Sequence, residues 1–243
     1  NYTDRLLDIV YNCQMCGGCD ISCKYAMDME VLEPIYEFRK QAIADGKTNA
    51  ALEKVIAGLK KTGYMVPATG KRGAWAQGLD IKDATKEKVD VLYFVGCQTS
   101  FNKDLWKLAK ATAKILDKAG VNFGIMGDSE ICCGGRAMQM GYEDAFLAEA
   151  KKNIAAIKKT GAKTVVTGCA DCYNALKVMY ERFDLKPGFE AMHISEYIAQ
   201  LIKDKKLKLN KKVNLSVTYH DPCRLGRLGE PWVKWDGKRI PGD

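Results

Sequence analysis

The sequence predicts an α/β fold in which a small helical module precedes a Rossmann-like domain with a mostly parallel sheet. Two observations predict it. From residue 89 onward, short β-branched and aromatic runs alternate with amphipathic helical stripes, the order that builds a layered α/β domain. Ahead of them, residues 1–46 hold four closely spaced cysteines and then apolar positions at helical spacing.

The elements follow in order. Behind Cys13, Cys16, Cys19 and Cys23 stand Ile35, Tyr36, Phe38, Arg39, Ala42 and Ile43, which mark a helix that Gly46 and Lys47 end. Residues 47–88 turn to Ala, Gly and Lys with Pro67, Gly70 and Gly73, and are expected to be a connector with one short helix. The main domain is expected over 89–212. Its first strand, 89–96 (VDVLYFVG), delivers Cys97 at its C-terminal end. Leu105, Leu108, Ala109, Thr112, Ile115 and Leu116 form a helical stripe that stops at Gly120. A strand over 121–127 leads to Cys132-Cys133-Gly134-Gly135. Phe146, Leu147, Ala150, Ile154 and Ile157 mark the next helix, closed by Gly161, and a third strand over 163–168 ends at Cys169. A helix over 171–183, a short strand near Ala191, a helix over 195–203 and a strand over 213–219 complete the pattern. Cys97, Cys132, Cys133, Cys169 and Cys223 thus all lie just past strand ends, where open α/β sheets gather their ligands.

Composition excludes several functions. The formal charge is +8, but the lysines are spread over presumed helix faces and aromatics do not interleave with them. A solvated basic surface is expected, and no nucleic acid. No apolar run approaches the roughly eighteen residues of a membrane span. Ten cysteines in a chain without a secretory signature fit a reducing compartment, where clustered thiols are ligands and not bridges; the expected location is cytoplasmic, free or peripheral to a membrane. No G-x-G-x-x-G follows a strand, so nucleotide binding is not supported.

The run Cys13-x2-Cys16-x2-Cys19-x3-Cys23 lets three thiolates wrap one cluster while the fourth points away; Gly17 and Gly18 turn the backbone tightly and aim N–H groups at the sulfurs. The spacing points to a cubane [4Fe–4S] cluster, whereas zinc favours two Cys-x2-Cys pairs about fifteen or more residues apart. In two-cluster ferredoxins the fourth cysteine serves the other cluster. No second run occurs here, and Lys24 stands where a proline usually follows. Either Cys23 completes the cluster or a companion run ahead of Asn1 exchanges ligands with it; the second is expected, because the chain reads as opening in the middle of a helix.

The other cysteines are spaced C-x34-CC-x35-C-x2-C. Five thiolates exceed what one zinc takes, and adjacent cysteines reach one tetrahedral ion only with strain. With Gly134 after the doublet, this pattern resembles the CCG cysteine-rich domain proteins, which include heterodisulfide reductase subunits of the D and B types and Fe–S subunits of lactate, glycerol-3-phosphate and sulfite-reduction-linked complexes. The family's Cys, Cys-Cys-Gly and Cys-x-x-Cys are matched by Cys97, Cys132-Cys133-Gly134 and Cys169-Ala170-Asp171-Cys172. The resemblance implies that these five cysteines hold a noncubane [4Fe–4S] cluster and that electrons reach it from the N-terminal cubane. It also implies partners among other redox subunits, flavin or Fe–S proteins, in a larger complex of the flavin-bifurcating or benzoyl-CoA-reductase-linked kind, with a disulfide or a quinone as substrate. The segment His220 to Arg227 (HDPCRLGR) resembles the opening of a second copy with Cys223 as its first ligand, so 213–243 is expected to begin an incomplete second domain.

Two other functions fit the same cysteines: the electron-transfer subunit of a quinone-linked dehydrogenase, and a zinc-stabilised interaction module without redox activity. Among lesser residues, His193 is expected to be structural and His220 to make a strand-end hydrogen bond, tune a cluster or shuttle a proton. Arg136 and Arg224 are expected in salt bridges, with attraction of an anionic substrate or compensation of cluster charge as the functional alternative, and Met138 and Met140 in packing.

Overall fold

The computed structural model describes residues 2–27 and 29–230. Four helices come first, α1 (Asp4–Asn12), α2 (Gly18–Met27), α3 (Leu32–Ala44) and α4 (Ala50–Thr62). Helix α1 starts within the chain. The Thr3 hydroxyl accepts the Leu6 N–H at 3.2 Å and so satisfies one of the free donors of the first turn. This corrects the expectation of a chain that opens mid-helix.

The rest alternates as expected: β1 (Lys82–Asp83), β2 (Val91–Tyr93), α5 (Cys97–Phe101), α6 (Trp106–Lys118), β3 (Phe123–Ile125), α7 (Gly135–Gln139), α8 (Glu143–Thr160), β4 (Thr164–Thr167), α9 (Ala170–Asn174), α10 (Tyr180–Arg182), β5 (Glu190–His193) and α11 (Ile194–Lys203). A π-helical turn, Ala175–Met179, joins α9 to α10. The five strands are all parallel, in the order β1-β3-β2-β4-β5. The edge strand β1 comes from the segment 47–88.

Strand β2 is buried on both faces, which is why 89–96 reads as a continuous apolar run. Its alternate residues serve two cores. Val91, Tyr93 and Val95 pack with Ala109, Ala113 and Leu116 of α6, while Leu92 and Phe94 pack with Phe146, Ala150 and Ile157 of α8. The chain leaves β2 for β3 on one side and then crosses to β4 on the other. The sheet therefore has its topological switch point at β2, and the C-terminal ends of β2 and β4 border the crevice this creates.

Two expectations change. The stripe on α6 is rotated: Ala109, Thr112, Ala113 and Leu116 are buried, whereas Leu108 is exposed. Residues 213–219 are not a strand. Val213, Leu215, Val217 and Tyr219 alternate as strand residues would, yet all four are exposed, and among the described residues none pairs with this stretch. A strand requires a neighbour to take its N–H and C=O groups, so alternation alone does not make one. The remainder of the segment expected to open a second domain, 231–243, lies outside the described residues. Among those described, no helix is long and apolar enough to cross a membrane.

Candidate functional site

Five of the ten cysteines converge. Cys97 begins α5 directly beyond β2, Cys132 and Cys133 follow the turn after β3, Cys169 follows β4, and Cys172 lies one turn into α9. Their thiols form a string of side-chain contacts, Cys97 to Cys132, Cys132 to Cys133, Cys133 to Cys172 and Cys172 to Cys169. Cys97, Cys132, Cys133 and Cys172 are buried, and Cys169 is half-buried. Among the described residues no three His, Cys, Asp or Glu side chains are grouped around a single metal ion. The thiols form a string of neighbouring pairs.

Hydrogen bonding within the string divides the thiols. Hydrogen bonds from Cys132 and Cys172 draw the Cys133 thiol down to about 6, and Cys172 likewise lowers Cys169. Cys97 is pushed up by Cys132, Cys132 by Cys133, and Cys172 by Cys133, with burial adding to each. Donors of this kind suit soft metals, which bind the thiolate, so loading the site releases protons.

The doublet is held from four directions. Its backbone is fixed by Cys132 N–H on Gly63 O at 2.8 Å, Asn153 Nδ2 on Cys132 O at 2.6 Å and Tyr180 Oη on Cys133 O at 3.0 Å. The Gly134 N–H points at Cys132 Sγ, 3.4 Å away. Gly134 itself has φ of +81°, and a Cβ there would sit 3.2 Å from the Phe146 ring. This is a physical reason for glycine after the doublet.

Beneath Cys97 lies a buried ion pair. Arg72 NH2 and Nε donate to Glu130 Oε1 at 2.6 and 3.2 Å, and Arg72 NH1 donates to Cys97 Sγ at 3.3 Å. Glu130 also accepts the N–H groups of Val95 and Gly96 at 3.0 and 2.9 Å, so one carboxylate fixes both the arginine and the strand end that presents Cys97. The rings of Tyr64 and Phe101 flank the guanidinium. Burial lowers the Arg72 pKa, but Glu130 and Cys97 outweigh it and the net shift is upward. Arg72 therefore stays a cation beside the thiol.

The first group forms on the α1–α2 junction. Cys13 ends α1, Cys16 lies in the connecting loop, and Cys19 and Cys23 are one turn apart on α2, hence on one helix face. All four are half-buried. Met15, between the first two, is 1% exposed at a left-handed φ of +52°, and its N–H donates to Cys13 Sγ at 3.4 Å. Cys13 and Cys19 pack against the same apolar core that contains Cys97, Cys132, Cys133 and Cys172, so the two groups border one continuous interior. Cys223 is half-buried in a turn near the first loop and is not part of the string. In both groups the donors are thiols, partly or wholly sheltered, with backbone N–H groups aimed at sulfur. That chemistry fits iron–sulfur clusters.

Other residues fall as expected. His193 N-caps α11 through a reciprocal pair with Glu196. Arg136 pairs with Asp171 at 2.8 Å, Met138 is buried in the core, and Met140 packs against it. His220 is exposed.

Residues 91–177 match the family of cysteine-rich CCG domains. The chain thus carries a CCG cysteine-rich domain over these residues. It is similar to the D-type subunit of the dihydromethanophenazine:CoB–CoM heterodisulfide reductase of Methanosarcina barkeri, 35% identical over 92% of this chain and 54% of that protein, and to its counterpart in Methanosarcina mazei, 37% identical over the same shares. It is also similar to the EtfAB:quinone oxidoreductase of Syntrophomonas wolfei, 27% identical over 90% of this chain and 31% of the relative. The chain thus spans about half the length of the heterodisulfide reductase proteins it matches. No solved structure matches it.

Gly96 gives a direct test of the packing. Its φ and ψ of 83° and 161° belong to a region essentially closed to side chains, and a Cβ would lie 3.0 Å from Cys172 Sγ. Gly96→Ala is expected to cost about 1–3 kcal/mol in chemical denaturation and to lower metal retention by the Cys97–Cys172 group.

Proposed function

We propose that the chain is an iron–sulfur electron-transfer subunit, resembling heterodisulfide reductase, within a larger redox complex. In this reading Cys13, Cys16, Cys19 and Cys23 hold a cubane [4Fe–4S] cluster, and Cys97, Cys132, Cys133, Cys169 and Cys172 hold a noncubane one. Such clusters supply one-electron transfer when bound. The observation that carries the reading is the convergence of five cysteines from three strand ends into one sheltered string at the sheet's switch point.

The chain's own residues prepare that place. Asn153 and Tyr180 fix the doublet backbone, Arg72 sets a positive charge against Cys97, and the apolar core keeps water from the inner thiols. Cys223 stands apart as the candidate first ligand of a further site. Similarity to the heterodisulfide reductase proteins favours a disulfide substrate and other redox subunits as partners, in the cytoplasm or at a membrane surface. Similarity to the EtfAB:quinone oxidoreductase favours the second reading, delivery of electrons toward a quinone.

Anaerobic reconstitution followed by metal analysis and EPR tests the assignment. Cys132→Ala and Cys133→Ala are each expected to abolish the signal of the five-cysteine cluster and to leave the N-terminal signal intact. Unchanged spectra in both variants would refute the ligand set, and a colourless chain that takes up only zinc would establish the interaction module instead.

A further inference from the structure

The segment around Cys223, which in sequence resembles the opening of a second copy, does something else in the fold. It lies across the first cysteine loop. Arg224, 5% exposed, donates from NH2 to Met15 O at 2.6 Å and from NH1 to Tyr36 Oη at 3.4 Å. Arg227 NH1 donates to Cys16 O at 3.0 Å. Leu228 packs so closely on Gly17 that a Cβ there would come within 2.8 Å of its Cδ2.

The same segment reaches the other group. Arg224 Nε lies 3.8 Å from Asp171 Oδ1, and Asp171 stands between Cys169 and Cys172. Arg136 pairs with the other oxygen of this carboxylate at 2.8 Å, while Oδ1, buried and without a hydrogen bond, faces Arg224. Two residues beyond Cys172, Asn174 Nδ2 donates to Leu228 O. One short segment thereby touches the loop of Cys13 and Cys16 on one side and the helix of Cys172 on the other.

We propose that Arg224, assisted by Arg227, is a positioning residue that locks the two cysteine loops together and sets the potential of the N-terminal cluster. The inference rests on the iron–sulfur reading above. Each reduction adds a negative charge, which a buried guanidinium nearby stabilises more than water-screened surface charges do. Hydrogen bonding and local charge are the protein's means of tuning such a site. Three of the residues Arg224 touches, Met15, Tyr36 and Asp171, are remote from it in sequence, so its removal loosens the spacing of the two loops as well as their charge.

The test is an EPR-monitored redox titration of the reconstituted chain, following the signal that survives Cys132→Ala. Iron and sulfide content of the unaltered chain come first: if no cluster forms, the functional reading fails before Arg224 is tested. With clusters present, Arg224→Met is expected to move the midpoint downward by about 59 mV or more, a tenfold change in a one-electron equilibrium. Arg224→Lys, which keeps the charge, is expected to recover most of the shift, and Lys212→Met, an exposed site, to cause none. If Arg224→Met does not fold, Arg227→Met takes its place, with a smaller downward shift expected. A midpoint equal to that of the unaltered chain in the variant that folds, or an equal shift in Lys212→Met, would overturn the proposal.

Discussion

Replacing Glu130 with Ala is expected to destabilise the chain by about 3–5 kcal/mol, among the largest losses from any single substitution outside the cysteines. The Glu130 side chain is 2% exposed and that of Arg72 1%, so the variant leaves a guanidinium buried beside Cys97 without its counter-charge. It also strips acceptors from the N–H groups of Val95 and Gly96. Domains of this size have only about 5–15 kcal/mol of stability in total. A fall in melting temperature of roughly 6–20 °C should follow. The double variant Arg72→Met, Glu130→Gln is expected to recover much of the loss, because no charge is then left unpaired in the interior. If the single and double variants unfold at the same temperature, the ion pair is not what secures this strand end.

Neither Arg72 nor Glu130 is legible in the sequence, and the reason is physical. Cysteine spacing and apolar strand runs are local signals: a continuous apolar run over 89–96, or a run of four thiols, is written in consecutive residues. That is enough for the parallel sheet and for the five cysteines at its strand ends. Arg72 lies in a stretch with no periodicity, 58 residues from Glu130 and 25 from Cys97, and only the fold brings the three together. Asn153 and Tyr180 look like ordinary helix residues until their partners, the carbonyls of the doublet, are known. The opposite failure occurs at 213–219, where the local pattern of a strand is present and the neighbour it needs is not among the described residues. Arg224 stands out in the sequence only for its nearness to Cys223. Its work is on Met15, 209 positions away.

Arg39→Met is expected to release the first cysteine loop while the sheet stays folded. Helix α1 buries none of its residues, so apolar packing does little to hold it. Its attachment is polar and centres on Arg39, which is 4% exposed: NH2 donates to Val10 O at 2.5 Å and Cys13 O at 2.8 Å, and NH1 to Gln139 O at 2.6 Å, with the guanidinium over the Tyr11 ring. One side chain thus ties the end of α1 and the first cysteine to the end of α7. Hydrogen bonds to a charged group contribute about 1.5–3 kcal/mol each, and three are lost together, so the local cost exceeds what a loop of half-buried thiols can offset. Hydrogen exchange should show protection lost in α1 but kept in β2 and β4, and reconstituted protein should hold roughly half the iron, with the five-cysteine signal unchanged. Arg39→Lys should not restore it, because one ammonium cannot span carbonyls that the planar fork reaches on two sides. Equal loss of protection across α1 and the sheet strands would instead make Arg39 a general core residue, and the separate attachment of the first cysteine group would fall with it.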